Sequence, residues 1–273
     1  MITVETDSLK WLLTLAQRKH TIDGSAHAQL YSVILKASDG RLSFCSLVKD
    51  GVSSLMRLSI PCAGEGEVVI TDIDTTLGVL KYHGGALKIS KGASHDTVKF
   101  KSSNKQTTLS ASKEARAFPH TPNTMAQWAE KSATLAAKIN VDDLTYATND
   151  GETLKTMCSF ADLNTTELFE AFRCDSMNGQ KLNKYEILFD PPQDLQIRVG
   201  GVLKGMTQTD IKVNTPAPYG FGATYGGGLE HIFQHLNSDI GIHIWDFTEA
   251  GMGYPMLISM GDGDYIFQAS HLR

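Results

Sequence analysis

From Thr6 to His20 the apolar residues Leu9, Leu12, Leu13 and Ala16 recur at i, i+3, i+4 and i+7, with Lys10, Thr14, Gln17 and Arg18 along a polar stripe. That spacing predicts an amphipathic helix resting on a flat apolar surface. The period then changes to two. Leu30–Ala37, Arg41–Leu47 and Val52–Ile60 alternate apolar with polar positions. They are separated by Asp39–Gly40 and Asp50–Gly51, dipeptides that favour tight hairpin turns, so an antiparallel meander is expected. A short strand at Glu67–Ile70 and a helix through Leu77 and Leu80 follow. Strands are then expected at Ala86–Ser90 and on either side of a polar turn between Val98 and Ser112.

The second half of this pattern returns near the C-terminus. Leu229, Ile232, Phe233 and Leu236 mark a helix, Ile240–Trp245 a strand, and Met256–Ser270 two strands around a polar turn. Val98 to Ser112 and Met256 to Ser270 each span fourteen positions, and the endings Leu-Ser-Ala-Ser and Phe-Gln-Ala-Ser align without a gap. A repeat of this size predicts two similar domains, each a doubled helix-plus-meander unit. Any helix followed by a meander would share the broad outline, so the alignment of the endings carries the inference.

Between Ser112 and Thr134 two prolines and the loss of alternation mark a connection. Domain 1 is therefore placed at 1–117, a linker at 118–133 and domain 2 at 134–273. In domain 2, Asn140 is expected to cap a short helix opening at Val141, Asp142, Asp143 and Leu144. Leu154–Phe160, Leu168–Asp175 and Lys181–Phe189 are read as strands, and 191–208 as an insertion relative to domain 1.

Two such domains joined by an extended linker resemble the DNA sliding clamps, PCNA-like and T4-type phage processivity factors. YPMLISMGDGDYIFQASHLR resembles the closing hairpin of that family, and ITDIDTTLGVLKYHGGALKIS its second helix and following strand. The resemblance implies an α+β, ring-forming, processivity-clamp fold without catalytic activity or cofactor. Two domains per chain imply a homotrimer. The implied partners are double-stranded DNA held without sequence preference, a DNA polymerase, a clamp loader and further copies of the chain. The 191–208 segment and the early ending at His271-Leu272-Arg273 depart from cellular PCNA and suit a viral or phage clamp or a distant archaeal one, while the checkpoint clamp subunits of eukaryotes have comparable length.

A sliding ring needs cationic and polar side chains on helix faces that touch phosphates without reading bases. Carried onto this chain, the DNA-facing residues are Lys10, Thr14, Gln17 and Arg18 on the first helix, Lys81 after the second, and His231, Gln234 and His235 on the last. An ordinary solvated helix face would show the same stripe. A pocket for a partner's tether peptide would use Pro255, Phe267 and Ala269 of the closing hairpin. Leu47 and Val48 at a strand end, with Phe118 and Met125 of the linker, would form its other wall. Phe267 reads equally as core. The subunit interface would pair Thr107, Leu109 and Ala111 with a domain 2 edge strand at Lys181–Ile187, through Leu182 and Tyr185.

Composition narrows these readings. The chain has 273 residues, 41% of them hydrophobic, enough for two cores, and a net charge of −5 that confines any DNA contact to local surfaces. No apolar run of membrane-spanning length and no signal-peptide pattern occurs, so a cytoplasmic location is expected, in the host if the protein is viral. Cys45, Cys62, Cys158 and Cys174 stand singly, which predicts neither disulfide nor zinc site. His231 and His235 have the i, i+4 spacing of a metal pair but lack the HExxH glutamate. Gly226–Gly228 lacks the lysine of a phosphate loop, and no Gly-x-Ser-x-Gly elbow occurs. Two other functions stay open: a β-rich structural or assembly protein of a virus, and a hydrolase using a metal with Asp142 and Asp143.

Overall fold

The computed structural model describes residues 1–18, 20–22, 25–27, 30–49, 53–92, 97–110, 122–177, 184–201, 205–213, 219–226, 228–249 and 253–270. The chain divides into two compact units. One comprises Met1–Gln17, Leu30–Leu47 and Met56–Thr134, the other Arg18–Gln29, Val48–Leu55 and Leu135–Arg273.

The first unit opens with β1 (Ile2–Glu5) and α1 (Thr6–Gln17), whose buried stripe of Leu9, Leu12, Leu13 and Ala16 also takes in Leu15. The hydroxyl of Thr6 donates to the carbonyl of Gly85 at 2.7 Å and fixes where the helix begins. A small hairpin of β2 (His20–Ile22) and β3 (Ser25–His27), counted with the second unit, follows. β4 (Val33–Ser38) and β5 (Arg41–Lys49) are joined by Asp39 and Gly40 at φ 53° and 75°, the pair of left-handed residues that a tight hairpin with matching twist requires. With β6 (Ser53–Pro61) and β7 (Gly66–Ile70) they run in the order β6-β5-β4-β7. Asp72 accepts the N–H of Thr75 at 2.8 Å and caps α2 (Ile73–Leu80). β8 (Ala86–Lys91), β9 (Thr97–Lys101) and β10 (Gln106–Ser110) then complete the sheet β1-β8-β9-β10.

α3 (Pro122–Ala136) occupies much of the expected linker, and Ser132 docks it in the first unit by accepting the N–H of Leu47 at 2.9 Å. The helix expected at Val141 is absent. Asn140 accepts the N–H groups of Asp142 and Asp143 at 3.1 Å each, and Leu144 at φ 53° turns the chain back, so a tight turn replaces the helix. That turn joins β11 (Ile139–Asn140) to β12 (Thr145–Ala147), and β13 (Thr153–Lys155) completes a three-stranded sheet. β14 (Cys158–Leu163) follows.

The strand expected at Leu168–Asp175 is instead part of α4 (Thr165–Met177). Its buried residues Leu168, Ala171 and Phe172 have helical spacing, and Asn164 caps the N–H groups of Thr166 and Glu167. β15 (Lys184–Phe189), β16 (Leu195–Gly201), β17 (Gly205–Ile211) and β18 (Phe221–Gly226) form a sheet in the order β17-β16-β15-β18, matching β6-β5-β4-β7. The segment 191–208 is therefore not an insertion: it supplies β16 and the start of β17, counterparts of β5 and β6. α5 (Leu229–Gln234), β19 (Ile240–Ile244), β20 (Met256–Ser259) and β21 (Tyr265–Gln268) close the unit, with sheet order β14-β19-β20-β21.

Cross-strand register makes the duplication specific. The rung Ile2-Ile89-Phe100-Thr107 of the first unit, buried except at its edge residue Thr107, corresponds to Phe160-Ile242-Ile258-Ile266 of the second. The gapless match of the two endings is off by one, because Lys101 pairs with Gln106 across four turn residues and Ser259 with Tyr265 across five. Thr108, opposite Lys99, is thus the counterpart of Phe267, opposite Leu257.

Candidate nucleic-acid interface and partner surfaces

The polar stripe of α1 divides in the structure. Lys10 and Thr14 are part-exposed, and Lys10 pairs with Asp7 of its own helix at 2.9 Å. Gln17 is buried and donates to Asp74 at 2.7 Å. Arg18 is wholly buried at φ 42°, so it turns away from the stripe and into the core of the second unit. There its guanidinium donates to Ser54 Oγ and, at 2.6 Å, to Gln268 Oε1, while Gln268 donates to the carbonyl of Gly226 at 3.2 Å. A guanidinium committed to buried acceptors is not offered to phosphates, so Gln17 and Arg18 are withdrawn from the DNA-facing set.

Lys81 is exposed directly after α2. On α5, Gln234 is exposed and His235 part-exposed, but His231 is buried with its ring 4.7 Å from that of His235. Among the described residues no group of three metal-ligating side chains occurs. The exposed face of α4 carries Glu167, Glu170 and Arg173, with Arg173 paired to Glu170 at 3.2 Å. In the same unit Tyr185 donates to Glu230, whose carboxyl is pushed up by burial, against the opposing effects of Tyr185 and the Arg18 charge. Among the described residues the helices expose Lys10, Lys81 and Arg173 beside Asp7, Asp74, Glu167 and Glu170, a mixed charge in which Lys10 and Arg173 are paired within their own helices.

Phe267 does not line an open hollow. It is buried, with Tyr146 stacked on it at 6.1 Å and 17° and Trp245 at 6.0 Å, and Phe247 lies 4.9 Å from Tyr146. Phe267 shares a face of its sheet with Leu257 and His243, and Tyr146 of β12 covers it there. Pro255 and Val48 are buried, while Ala269 and Leu47 are part-exposed. Phe118 lies outside the described residues, as does the side chain of Met125.

For the subunit interface, Ala111 and Leu182 lie outside the described residues. β15, which holds Tyr185, pairs with β16 on one side and β18 on the other, so the described part of the expected edge, Lys184–Ile187, is interior and Tyr185 is buried. The edge strands of that sheet are β17 and β18. In the first unit β1 and β10 are the edges of their sheet, and Thr107 and Leu109 of β10 are part-exposed.

No family model and no curated protein sequence matches the chain. Among solved structures it superposes over its whole length on the DNA polymerase sliding clamp of Bacillus subtilis, with a TM-score of 0.65 at 14% identity. It spans 64% of that longer chain. It also covers 100% of PCNA from Thermococcus kodakaraensis, with a TM-score of 0.57 at 14% identity, and 99% of A. fulgidus PCNA bound to the C-terminal region of FEN-1, with a TM-score of 0.59 at 10% identity. The fold is that of a DNA sliding clamp.

Within this clamp fold several polar groups had no clear sequence signal. Buried His83 bridges Ser102 and Thr107, each at 3.0 Å, joining the turn after α2 to β10. His243 bridges Ser159 and Ser259 at 3.1 and 2.9 Å, and burial lowers its pKa to about 4. Both histidines are distant in sequence from their partners, and only the sheet register brings them together. Burial raises the thiol pKa of Cys45 and Cys158 to about 11, Arg57 opposing the shift at Cys45, which keeps both as protonated thiols at neutral pH. Among the described residues no helix is long and apolar enough to cross a membrane.

Proposed function

We propose that this chain is a DNA sliding clamp that closes head to tail into a ring of three around duplex DNA and tethers a DNA polymerase there. The observation that carries the reading is the doubled unit, repeated in strand order and register, superposing at full length on clamps. Two open edges support ring closure: β10 in one unit and β17, with Met206 exposed, in the other. They belong to different sheets, so pairing β10 of one copy with β17 of the next is heterologous and closes only as a ring. A ring holds DNA by topology, so the mixed charge of the helix faces is compatible with retention. Lys10 and Lys81 are the helix-associated cations assigned to brush phosphates, and a clamp loader would open the ring.

Mass measurement in solution tests ring closure, and retention on nicked circular against linear duplex tests encirclement. The expected species has three times the chain mass of 29.8 kDa and leaves linear DNA by its ends. Lys10→Ala with Lys81→Ala should weaken retention at low salt without changing the mass. A monomer at micromolar concentration with no preference for circles would favour the structural or assembly protein instead.

A further inference from the structure

The solvent face of the sheet β1-β8-β9-β10 gathers lysines on β8 and β9, with Glu5 of β1 on the same face opposite Ala86. Lys88 stands directly opposite Lys101, and Lys99 lies two residues further along β9 on the same face. Lys105, in the turn after β9, is near enough that its charge, second to burial, depresses the pKa of His83. Among the described residues no carboxylate lies within ion-pair distance of these four lysines. Like charges directly opposite across an antiparallel pair repel, and an anion lying between them reverses the sign of that interaction.

At the end of this face a depression of about 430 Å³ is lined by Gly84, Gly85, Ala86, Lys88, Lys101, Ser102 and Ser103. No atom stands within 4 Å of where a Cβ would project from Gly84 or Gly85, so the backbone there is open to a ligand. Tyr82, two residues before Gly84, is 71% exposed. A two-residue span reaches at most about 7 Å, so the backbone of Tyr82 stands beside Gly84 at the rim of the depression.

We infer that this surface binds single-stranded nucleic acid, with Lys88, Lys101 and Lys105 on successive phosphates, Ser103 beside them, and Tyr82 as a platform for an unpaired base. Cations combined with an exposed ring are the elements by which single strands are held without sequence reading. A duplex hides its base faces from Tyr82, and an acidic peptide offers nothing that needs an aromatic platform. All these residues belong to the first unit of one chain, so the site does not depend on ring closure.

Anisotropy of a labelled oligothymidine of about a dozen nucleotides tests this directly on the full chain. Lys88→Ala with Lys101→Ala should weaken binding about tenfold or more and reduce the salt slope by about 1.4, the loss of two phosphate contacts to a single strand. Tyr82→Ala should weaken it about fivefold or more while Tyr82→Phe stays near wild type, as stacking requires. Lys155→Ala, which removes an exposed cation of the second unit, should leave it unchanged. The inference is overturned if the sheet variants bind as wild type, if Lys155→Ala loses as much binding as they do, or if a duplex or an oligoglutamate peptide competes equally through Lys88 and Lys101. All substituted side chains are solvent-facing, so circular dichroism should show every variant folded.

Discussion

The outer faces of two equivalent sheets have opposite fates. In the first unit the row Ser90-Lys99-Thr108 faces solvent or is only part-covered. In the second the matching row Ser159-His243-Leu257-Phe267 is largely buried, with Leu257 and Phe267 roofed where Tyr146 of β12 arrives. Strand order and inward rungs are the same in both. Among the described residues, Tyr146 of the three-stranded β11-β12-β13 segment covers the face in the second unit. Inward positions are apolar in both repeats except Thr107, on the edge strand β10. Outward positions answer to whatever covers them: lysines where nothing does, and a histidine and aromatics where the chain covers its own sheet.

The sharpest way to break this comparison is to truncate the paired positions. Phe267→Ala should cost about 3–5 kcal/mol of stability by urea denaturation, the usual range for emptying a packed aromatic site. Thr108→Ala, its exposed counterpart, should stay within about 0.5 kcal/mol. Similar losses at both positions would mean that the two faces are not differently covered.

A second test uses proton linkage at His243. Burial holds its folded pKa near 4, below the 6.5 of an exposed imidazole, so the unfolded chain binds the extra proton first as pH falls. Its contribution is present above about pH 6.5 and is lost progressively down to about pH 4, roughly 3 kcal/mol in all. Urea midpoints across that window should therefore fall with pH, and His243→Asn should flatten the part of the profile that this residue contributes. Ser90, at the same place in the first unit, has no proton to exchange. An unchanged slope in the variant would mean that His243 is not shielded as its burial implies.

The smallest expected effect concerns how the second helix of each unit begins. Asp72 caps α2 through its side chain, whereas Gly228 precedes α5 at φ 87° with a prospective Cβ only 3.1 Å from Arg18. Asp72→Ala should cost about 1 kcal/mol in thermal or urea unfolding. No such loss would place α2, like α5, under packing control alone.

Much of this architecture could be read from the chain. The stripe Leu9, Leu12, Leu13, Ala16, the Asp39–Gly40 turn and the alternation through β8 and β9 are local signals, in which neighbouring residues carry both the pattern and its cause. The first unit was legible for that reason. The second was less so: Leu168, Ala171 and Phe172 have helical spacing, yet a run of large apolar residues also reads as a strand, and the Asn164 cap decides between them only once the helix is formed. The same ambiguity made 191–208 an insertion, because the longer connections around β15 to β17 hid their match to β4, β5 and β6.

What the sequence determined by itself was periodicity, turns and repetition, hence the α+β class and the doubled unit that carries the clamp reading. What only the tertiary structure decided was exposure. Arg18 continues the polar stripe of α1 in sequence, but one left-handed residue turns it into a core where Ser54 and Gln268 receive it. Phe267 alternates with Ile266 along its strand, but which of them is covered by Tyr146, more than a hundred residues earlier, no alternation records. Lys88 and Lys101 are ordinary surface residues until register sets them opposite each other. Periodicity is written within a few residues of chain, whereas burial depends on segments distant in sequence, and no local pattern records which of them will arrive.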